Sequence, residues 1–332
     1  MDKNIALQAA INGANYLANN VTSEGKFIYK RKIDGSIVDD GRYNVLRHCG
    51  CIWAMNNVNK IANIGNIEIA TDKALIYLVQ NIKLVNGYDI GLLNDNGKYK
   101  LGGNALAWLA VDSFIYSRQS YEDSKYLWWN STKSNLFNGL FEFIDLCVPK
   151  ITSYIIKKDT MKKTKFVSEY YPGEVALVLA HNDNYYNQTI KFIKQIELTR
   201  DNAICVQDHW LLQALEILHN KAGIKNDTEI MAYCIKYSSK IMQEIMKHID
   251  EWRGRNTPLA CRIEGMISHY KMTNDQYTLK WIEKLLEELL KFQNNKQNSL
   301  VYGVFVDNGI SRIDYTQHAI MSLLRYFKLW SK

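Results

Sequence analysis

The spacing of apolar residues along this chain is mostly helical, because they recur three and four positions apart over long stretches. Together with start and stop signals, this pattern predicts about twelve helices. They cover roughly residues 3–19, 42–62, 66–83, 103–117, 133–147, 172–183, 186–198, 207–220, 227–249, 258–271, 275–293 and 315–330. We therefore expect an all-α fold.

The predicted helices alternate between two kinds. Every second helix is apolar nearly all round, as in Ala105–Val111 and Val175–Ala180, and such helices are covered on most sides. Several of the others carry charge along one face, for example Trp281–Leu290. An inner ring of buried helices wrapped by an outer ring of amphipathic helices explains this alternation. The sequence thus predicts about six helical hairpins closed into an (α/α)6 toroid.

One or two short β-hairpins interrupt the helical pattern. Lys26–Arg31 reads as a strand that turns at Asp34 and Gly35. Ser153–Ile156 and Lys165–Ser168 read as a second pair of strands joined by a basic tip. This tip either overhangs one end of the ring or is simply solvated.

Composition favours one domain. The chain has 332 residues, of which 47% are hydrophobic, and only three prolines, which suits long helices. We find no Gly/Ser-rich or single-sign charged run long enough to act as a flexible joint. We therefore expect residues 1–332 to form a single toroid domain.

The N-terminal sequence and the cysteines predict a cytoplasmic location. The stretch after Met1 is too polar for a signal peptide, and no apolar run is long enough to span a bilayer. The six cysteines are not spaced as a disulfide framework. Cys49 and Cys51 are two residues apart, so on a helix they point in different directions, which favours burial over a zinc site. We expect no metal and no other cofactor, and the oligomeric state stays open.

The net charge of +7 raises the question of which class of molecule the protein binds. Lysines and arginines are scattered among nearly as many acids, without a basic stripe or a nucleic-acid-binding motif. We therefore expect neither nucleic acid nor membrane as a partner, and favour a small anionic sugar or a polysaccharide. The alternative is a charge that serves solubility alone.

Polar residues gather where the predicted inner helices begin. In a closed ring these starts meet at one end, where backbone N–H groups and helix dipoles favour anions. The candidates for acid and base catalysis are His48, Glu174, Asp208, His209, Glu264, Asp314, Tyr315 and His318. The candidates for binding a sugar and its carboxylate are Arg42, Tyr43, Asn44, Arg47, Asn104, Tyr171, Trp210, Arg262, Arg312 and Gln317.

Structural roles compete with these assignments. First-turn acids such as Glu174, Asp208 and Asp314 also cap helices. A buried ion pair between inner helices would likewise explain an arginine and a glutamate at these starts. The pair Gly102 and Gly103 reads as a loop, and not as a phosphate-binding loop, because neither a strand nor a Walker pattern precedes it.

In architecture, the chain resembles helical toroid enzymes that act on carbohydrates, namely six-hairpin glycosidases, uronate lyases and sugar epimerases. Tyr43–His48 and Arg312–His318 are also similar to the "YDLRH" and "WDYHTTH" stretches of the helical domain of glucuronyl epimerases. The resemblance implies an enzyme that acts on a uronic-acid-like sugar. An Asp-Asp-x-x-Asp run, typical of terpene cyclases, does not occur.

Two classes of function stay open at this point. In the first, the protein is an epimerase, lyase or hydrolase that uses acid and base groups at the end of the ring. In the second, it is a non-catalytic binding or scaffold protein that holds an anionic ligand or a peptide in the same cavity.

Overall fold

The helices alternate between an outer and an inner layer along the chain. The structure is a computed structural model that describes residues 1–85, 90–117, 123–147, 155–157, 162–200 and 207–331. The inner helices are α2 (Val45–Ala62), α4 (Leu101–Ser117), α6 (Tyr171–His181), α8 (His209–Ile224), α11 (Asn256–Thr273) and α13 (Ile313–Leu329). The outer helices are α1 (Lys3–Asn19), α3 (Gly65–Gln80), α5 (Asp123–Cys147), α7 (Tyr186–Thr199), α9 (Thr228–Lys247) and α12 (Gln276–Leu290). A single turn, α10 (Ile249–Trp252), follows α9.

The inner helices form a closed ring. Each packs along the next in the order α2, α4, α6, α8, α11, α13, and α13 packs back against α2. Each outer helix packs against an inner helix next to it in sequence, except that α1 packs most closely against α13. The predicted all-α class and (α/α)6 toroid are therefore confirmed.

Burial explains the two kinds of helix. Residues Tyr171–Ala180 of α6 are all buried, because neighbours cover an inner helix on every side. In α12, only one face is buried, including Ile282, Leu285 and Leu289, while its charged residues face outward. The alternation predicted from the sequence corresponds to this difference.

In the described ranges, seven short strands lie at the ends of the helices. They are β1 (Lys30–Lys32), β2 (Ile82–Val85), β3 (Ile90–Asp95), β4 (Lys98–Lys100), β5 (Ile155–Lys157), β6 (Val306–Asp307) and β7 (Ile310–Arg312). They form two antiparallel sheets, in the orders β1-β7-β6 and β2-β3-β4-β5. The chain turns at Asp34 and Gly35 as predicted, but β1 pairs with β7 at the other end of the sequence.

The second predicted hairpin was wrong in its pairing. Ile155–Lys157 pairs with Lys98–Lys100 and not with 165–168, which are not in a strand. Residues 153, 154 and 158–161 of that prediction lie outside the described part of the chain. The pairing partner was missed because β3 and β4 were missed. Their turn is Asn96-Gly97, both with positive φ, which is a strong hairpin signal.

Gly102 and Gly103 lie within the first turn of α4, which corrects their prediction as a loop. A Cβ at Gly102 would overlap the carboxyl group of Glu174 and the ring of Tyr171. The glycine is therefore needed for close approach between α4 and α6.

Two further observations concern membranes and thiols. Across the described helices, none is both long and apolar enough to cross a membrane. Cys49, Cys51, Cys234 and Cys261 are buried free thiols. The side chain of Cys147 and all of Cys205 lie outside the described part of the chain.

Candidate active site at the mouth of the ring

The starts of the inner helices surround one cavity of about 320 Å³, a volume typical of a small-ligand site. We call this end of the ring the mouth. The described residues that line the cavity are Asn44, Leu46, Arg47, Leu106, Ser168, Tyr170, Tyr171, Glu174, His209, Trp210, Thr257, Pro258, Cys261, Arg262, Asp314, Gln317 and His318. All six inner helices contribute, so the predicted convergence of their starts is what the structure shows.

His318 is held by a chain of hydrogen bonds. Its Nδ1 donates to Oε1 of Glu264 at 2.9 Å, and Nε2 of Gln213 donates to the other oxygen of Glu264 at 3.2 Å. Burial disfavours a charged imidazole, but interactions with Cys261 and Glu264 outweigh it and raise the pKa of His318 well above its usual range. His318 is therefore an imidazolium at neutral pH.

His209 lies beside His318 in the opposite protonation state. The ring centroids are 5.2 Å apart, and the planes are nearly perpendicular. Burial and then the nearby charge of His318 lower the pKa of His209 well below its usual range. Within the described structure, neither ring nitrogen of His209 has a hydrogen-bond partner, although the residue is only 3% exposed. A buried polar group left without a partner is costly and marks a candidate functional group.

Glu174 is a second buried group of this kind. Its Oε2 is fully covered and has no hydrogen-bond partner among the described residues. Burial, and then the nearby carboxylate of Asp208, raise the pKa of Glu174 to about 8. Glu174 is therefore mostly a neutral carboxylic acid at pH 7.

Asp314, in contrast, is clamped by two arginines. Nη2 of Arg312 donates to Oδ2 at 2.8 Å, and Nε of Arg47 lies 3.3 Å from the same oxygen. Arg312 also stacks on the ring of Tyr315, with its guanidinium carbon 4.6 Å from the centroid. Asp314 reaches the cavity wall, whereas Arg312 and Tyr315 are not among the described lining residues.

Asp208 caps α8 from behind the wall. Its Oδ1 accepts from the backbone N–H groups of Trp210 and Leu211, at 3.0 and 3.1 Å. Its Oδ2 pairs with Arg200 at 2.7 Å. Burial raises the pKa of Asp208, and Arg200 opposes the shift. Asp208 is not among the described residues that line the cavity, and its contacts are those of a capping, ion-paired acid.

Arg262 differs from the other arginines in its partners. Its Nε donates to the side-chain oxygen of Gln207 at 2.9 Å, and it interacts with the hydroxyl of Tyr170. Both partners are neutral, and among the described residues no carboxylate is within salt-bridge distance of its guanidinium. Arg262 thus presents a positive charge to the cavity.

Several predicted site residues face away from the mouth. His48 is buried toward α3, where Nε2 bonds to the carbonyl of Ala74 at 2.8 Å and Nδ1 accepts from the hydroxyl of Tyr43 at 2.7 Å. Asn104 bonds to the backbone of Leu93 and Lys100. Arg42 is exposed to solvent. Asn44 does reach the wall, but its side-chain oxygen caps α2.

Other wall residues were not predicted from the sequence. Cys261 and Tyr170 line the cavity, and Gln213 supports Glu264 from within the ring. Cys261 lies three residues before Glu264 on α11, so helical spacing from that predicted acid could have found it. Nothing local in the sequence points to Gln213, which lies four residues, about one turn, beyond His209.

One cluster could hold a metal ion. The donor atoms of His209, Cys261, Glu264 and His318 all lie within 4.8 Å of one another. The same atoms also suit proton transfer, since Glu264 and His318 already bond to each other. We expect no metal here, as was predicted from the spacing of the cysteines.

Comparison with known proteins identifies relatives by fold alone. No protein-family model and no curated protein matches the sequence. A sugar epimerase from a ruminal bacterium aligns over 100% of both chains at 12% identity, with a TM-score of 0.68. A cellobiose 2-epimerase from Bacillus thermoamylovorans aligns over 98% of this chain and 100% of its own, at 10% identity and a TM-score of 0.70. A D-mannose isomerase aligns over 98% and 97%, at 15% identity and a TM-score of 0.65.

Proposed function

We propose that this protein is a sugar epimerase or isomerase that moves a proton at a carbon next to a carbonyl group. The observation that carries the proposal is the pair His209 and His318, whose ring centroids lie 5.2 Å apart at the mouth and whose pKa values are shifted in opposite directions, down for His209 and up for His318. A neutral imidazole can take a proton from carbon, and an imidazolium can donate one to the oxygen that gains charge. That the fold neighbours include sugar epimerases and an isomerase supports this reading by analogy.

The carboxylates of the mouth favour proton transfer over hydrolysis of a glycosidic bond. A glycosidase needs two carboxyl groups free to face the bond. Asp208 is paired with Arg200, Glu264 with His318, and Asp314 with two arginines. This leaves Glu174 as the unpaired carboxyl group of the described wall.

We further propose that the sugar is anionic, such as a uronic acid. Arg47 and Arg312 are occupied by Asp314, whereas Arg262 has neutral partners and faces the cavity. A guanidinium in this setting suits a carboxylate, which it can hold through two hydrogen bonds.

Turnover of defined sugars tests the proposed reaction. The wild type is incubated with D-mannose, cellobiose and D-glucuronate, and new epimers or isomers are detected by NMR. Replacing His209 or His318 by Asn should lower the rate by about 10²–10⁴-fold. His248→Asn is the matched control, because His248 lies on the outer layer after α9. Cleavage of cellobiose, or unchanged rates in both mouth variants, would contradict the proposal.

A second measurement tests the anionic substrate. Arg262→Gln should raise KM for D-glucuronate by at least roughly tenfold, because a charge-assisted hydrogen bond contributes about 1.5–3 kcal/mol. The same variant should leave KM for a neutral sugar nearly unchanged. Tight binding of D-glucuronate without any turnover would favour the non-catalytic alternative instead.

A further inference from the structure

A second cavity, of about 340 Å³, lies in the outer layer of the ring. It separates the outer helices α9 and α12, which both pack against the inner helix α11. None of the residues that line it lines the mouth. His269 of its wall lies about 12 Å along α11 from Cys261 of the mouth, at about 1.5 Å per residue. The proposed proton transfer therefore leaves this cavity unexplained.

His269 presents a hydrogen-bond acceptor to this second cavity. The hydroxyl of Ser238 donates its proton to the carbonyl of Ile235 at 2.9 Å, so its oxygen accepts from Nδ1–H of His269, also at 2.9 Å. Burial lowers the pKa of His269, although Asp275 opposes the shift, so the ring is neutral at pH 7. Its Nε2 then carries a lone pair and no proton. In the described structure this nitrogen has no hydrogen-bond partner, although the residue is only 6% exposed.

Two aromatic rings form an apolar wall of the same cavity. Tyr277 and Trp281 are four residues apart on α12 and therefore lie on one face of the helix. Their ring centroids are 6.5 Å apart. Tyr277 is 62% exposed, so most of its ring is free to contact a ligand. Met242 of α9 adds apolar surface from the other side.

The charge of the wall favours a neutral ligand. Among the described lining residues, Asp275 carries the only full charge at pH 7. Its carboxylate is occupied as the N-cap of α12, because Oδ1 accepts from the backbone N–H of Tyr277 at 3.1 Å and Oδ2 accepts from that of Thr278 at 3.0 Å. The cavity therefore suits an uncharged molecule that has an apolar face and donates a hydrogen bond.

We propose that this cavity is a second sugar-binding site, which holds a pyranose unit of a neutral saccharide outside the mouth. One face of a pyranose ring consists of C–H groups, which pack against the electron-rich faces of aromatic rings such as Tyr277 and Trp281. The hydroxyl groups at its rim are donors, and one of them fits the free Nε2 of His269. The choice of a sugar over other hydroxyl compounds rests on the proposed function, whereas the acceptor and the aromatic wall do not.

NMR titration of ¹⁵N-histidine-labelled protein with cellobiose tests this site. The Nε2 signal of His269, assigned by its loss in His269→Phe, should shift as the sugar binds, because the lone pair then accepts a hydrogen bond. Tyr277→Ala changes an exposed side chain and should raise the Kd from this titration by roughly two- to tenfold. Trp128→Ala is the matched control, because Trp128 is an exposed aromatic residue of the outer helix α5 that does not line this cavity. It should leave the Kd unchanged.

The same spectra separate this inference from the proposed function, since the signals of His209 and His318 report on the mouth. If cellobiose leaves the His269 signal unchanged, or if Tyr277→Ala binds it as tightly as wild type, the second site is overturned, whatever happens at the mouth. A His269 shift with indole but not with cellobiose would also overturn it, because the cavity would then take an apolar ligand. If His269 responds as expected but no tested sugar is turned over, the proposed function fails and the second site stands.

Discussion

Two buried glutamates of the inner ring have opposite surroundings. Glu174 lies at the mouth with an unpartnered oxygen, and its pKa is raised to about 8, chiefly by burial. Glu216 lies deeper, on α8, where its carboxylate accepts from Arg325 and from Lys271. Burial acts on Glu216 too, but these two cations outweigh it and lower its pKa.

The surroundings of Glu216 stabilise the folded ring, whereas those of Glu174 at the mouth do not. A buried charge is tolerated when opposite charges and hydrogen bonds compensate its desolvation. Glu216 meets that condition, and Glu174 does not. The mouth therefore keeps groups that are unfavourable for folding, which is typical of functional sites.

Removing the paired carboxylate should have the largest effect on stability. Glu216→Gln leaves Arg325 and Lys271 without their shared partner. The expected loss is about 3–5 kcal/mol of unfolding free energy. Urea denaturation followed by circular dichroism measures it. A loss below about 1 kcal/mol would mean that the deep network is not structural.

The unpaired carboxyl group of Glu174 should make the stability of the folded protein depend on pH. The pKa of Glu174 is about 8 in the folded protein and about 4.3 in the unfolded chain. Between these values the folded state binds more protons, so wild-type stability falls as pH rises. Glu174→Gln lacks this loss and should gain a few kcal/mol relative to wild type between pH 5 and about pH 8. If the difference in unfolding free energy between Glu174→Gln and wild type stays constant from pH 5 to about pH 8, Glu174 is not a neutral acid in the folded protein.

Asn44 also lies at the mouth, but unlike Glu174 it has a structural role, because its side chain caps α2. Its side-chain oxygen accepts from the N–H groups of Leu46 and Arg47. Asn44→Ala should therefore cost about 1 kcal/mol of stability, as loss of an N-cap does. Asn44→Asp, which retains the cap, is the control and should recover most of it in thermal unfolding.

Metal removal should have the smallest effect. We expect the purified protein to contain no stoichiometric zinc, and EDTA to change Tm by less than about 1 °C. Elemental analysis and thermal unfolding measure both. If the protein contains a stoichiometric metal whose removal lowers Tm, His209, Cys261 and His318 are metal ligands. The two histidines are then not the acid and base proposed above.

Periodicity was enough to predict the ring, because inner and outer helices differ in how much of their surface is apolar. Residue type and position were enough to predict that Glu174, His209 and His318 lie at the mouth, since each lies within the first two turns of an inner helix. The direction of a side chain around its helix was harder to predict. His48 begins an inner helix too, but faces α3.

The division between paired and unpaired acids depends on contacts both near and far in sequence. Asp208 is paired with Arg200, eight residues before it, whereas Glu264 is paired with His318, 54 residues away. The sequence placed all of these acids together as candidates. The pairing of Glu264 with His318 requires the packing of α11 against α13, which the sequence does not show.

The central claim is that the mouth holds one charged and one neutral histidine in contact. Protein labelled with ¹⁵N-histidine reports the protonation of each ring directly by NMR at pH 7, with His209→Asn and His318→Asn used to assign the signals. We expect an imidazolium at His318 and a neutral imidazole at His209. Two neutral rings, or two charged rings, would contradict it.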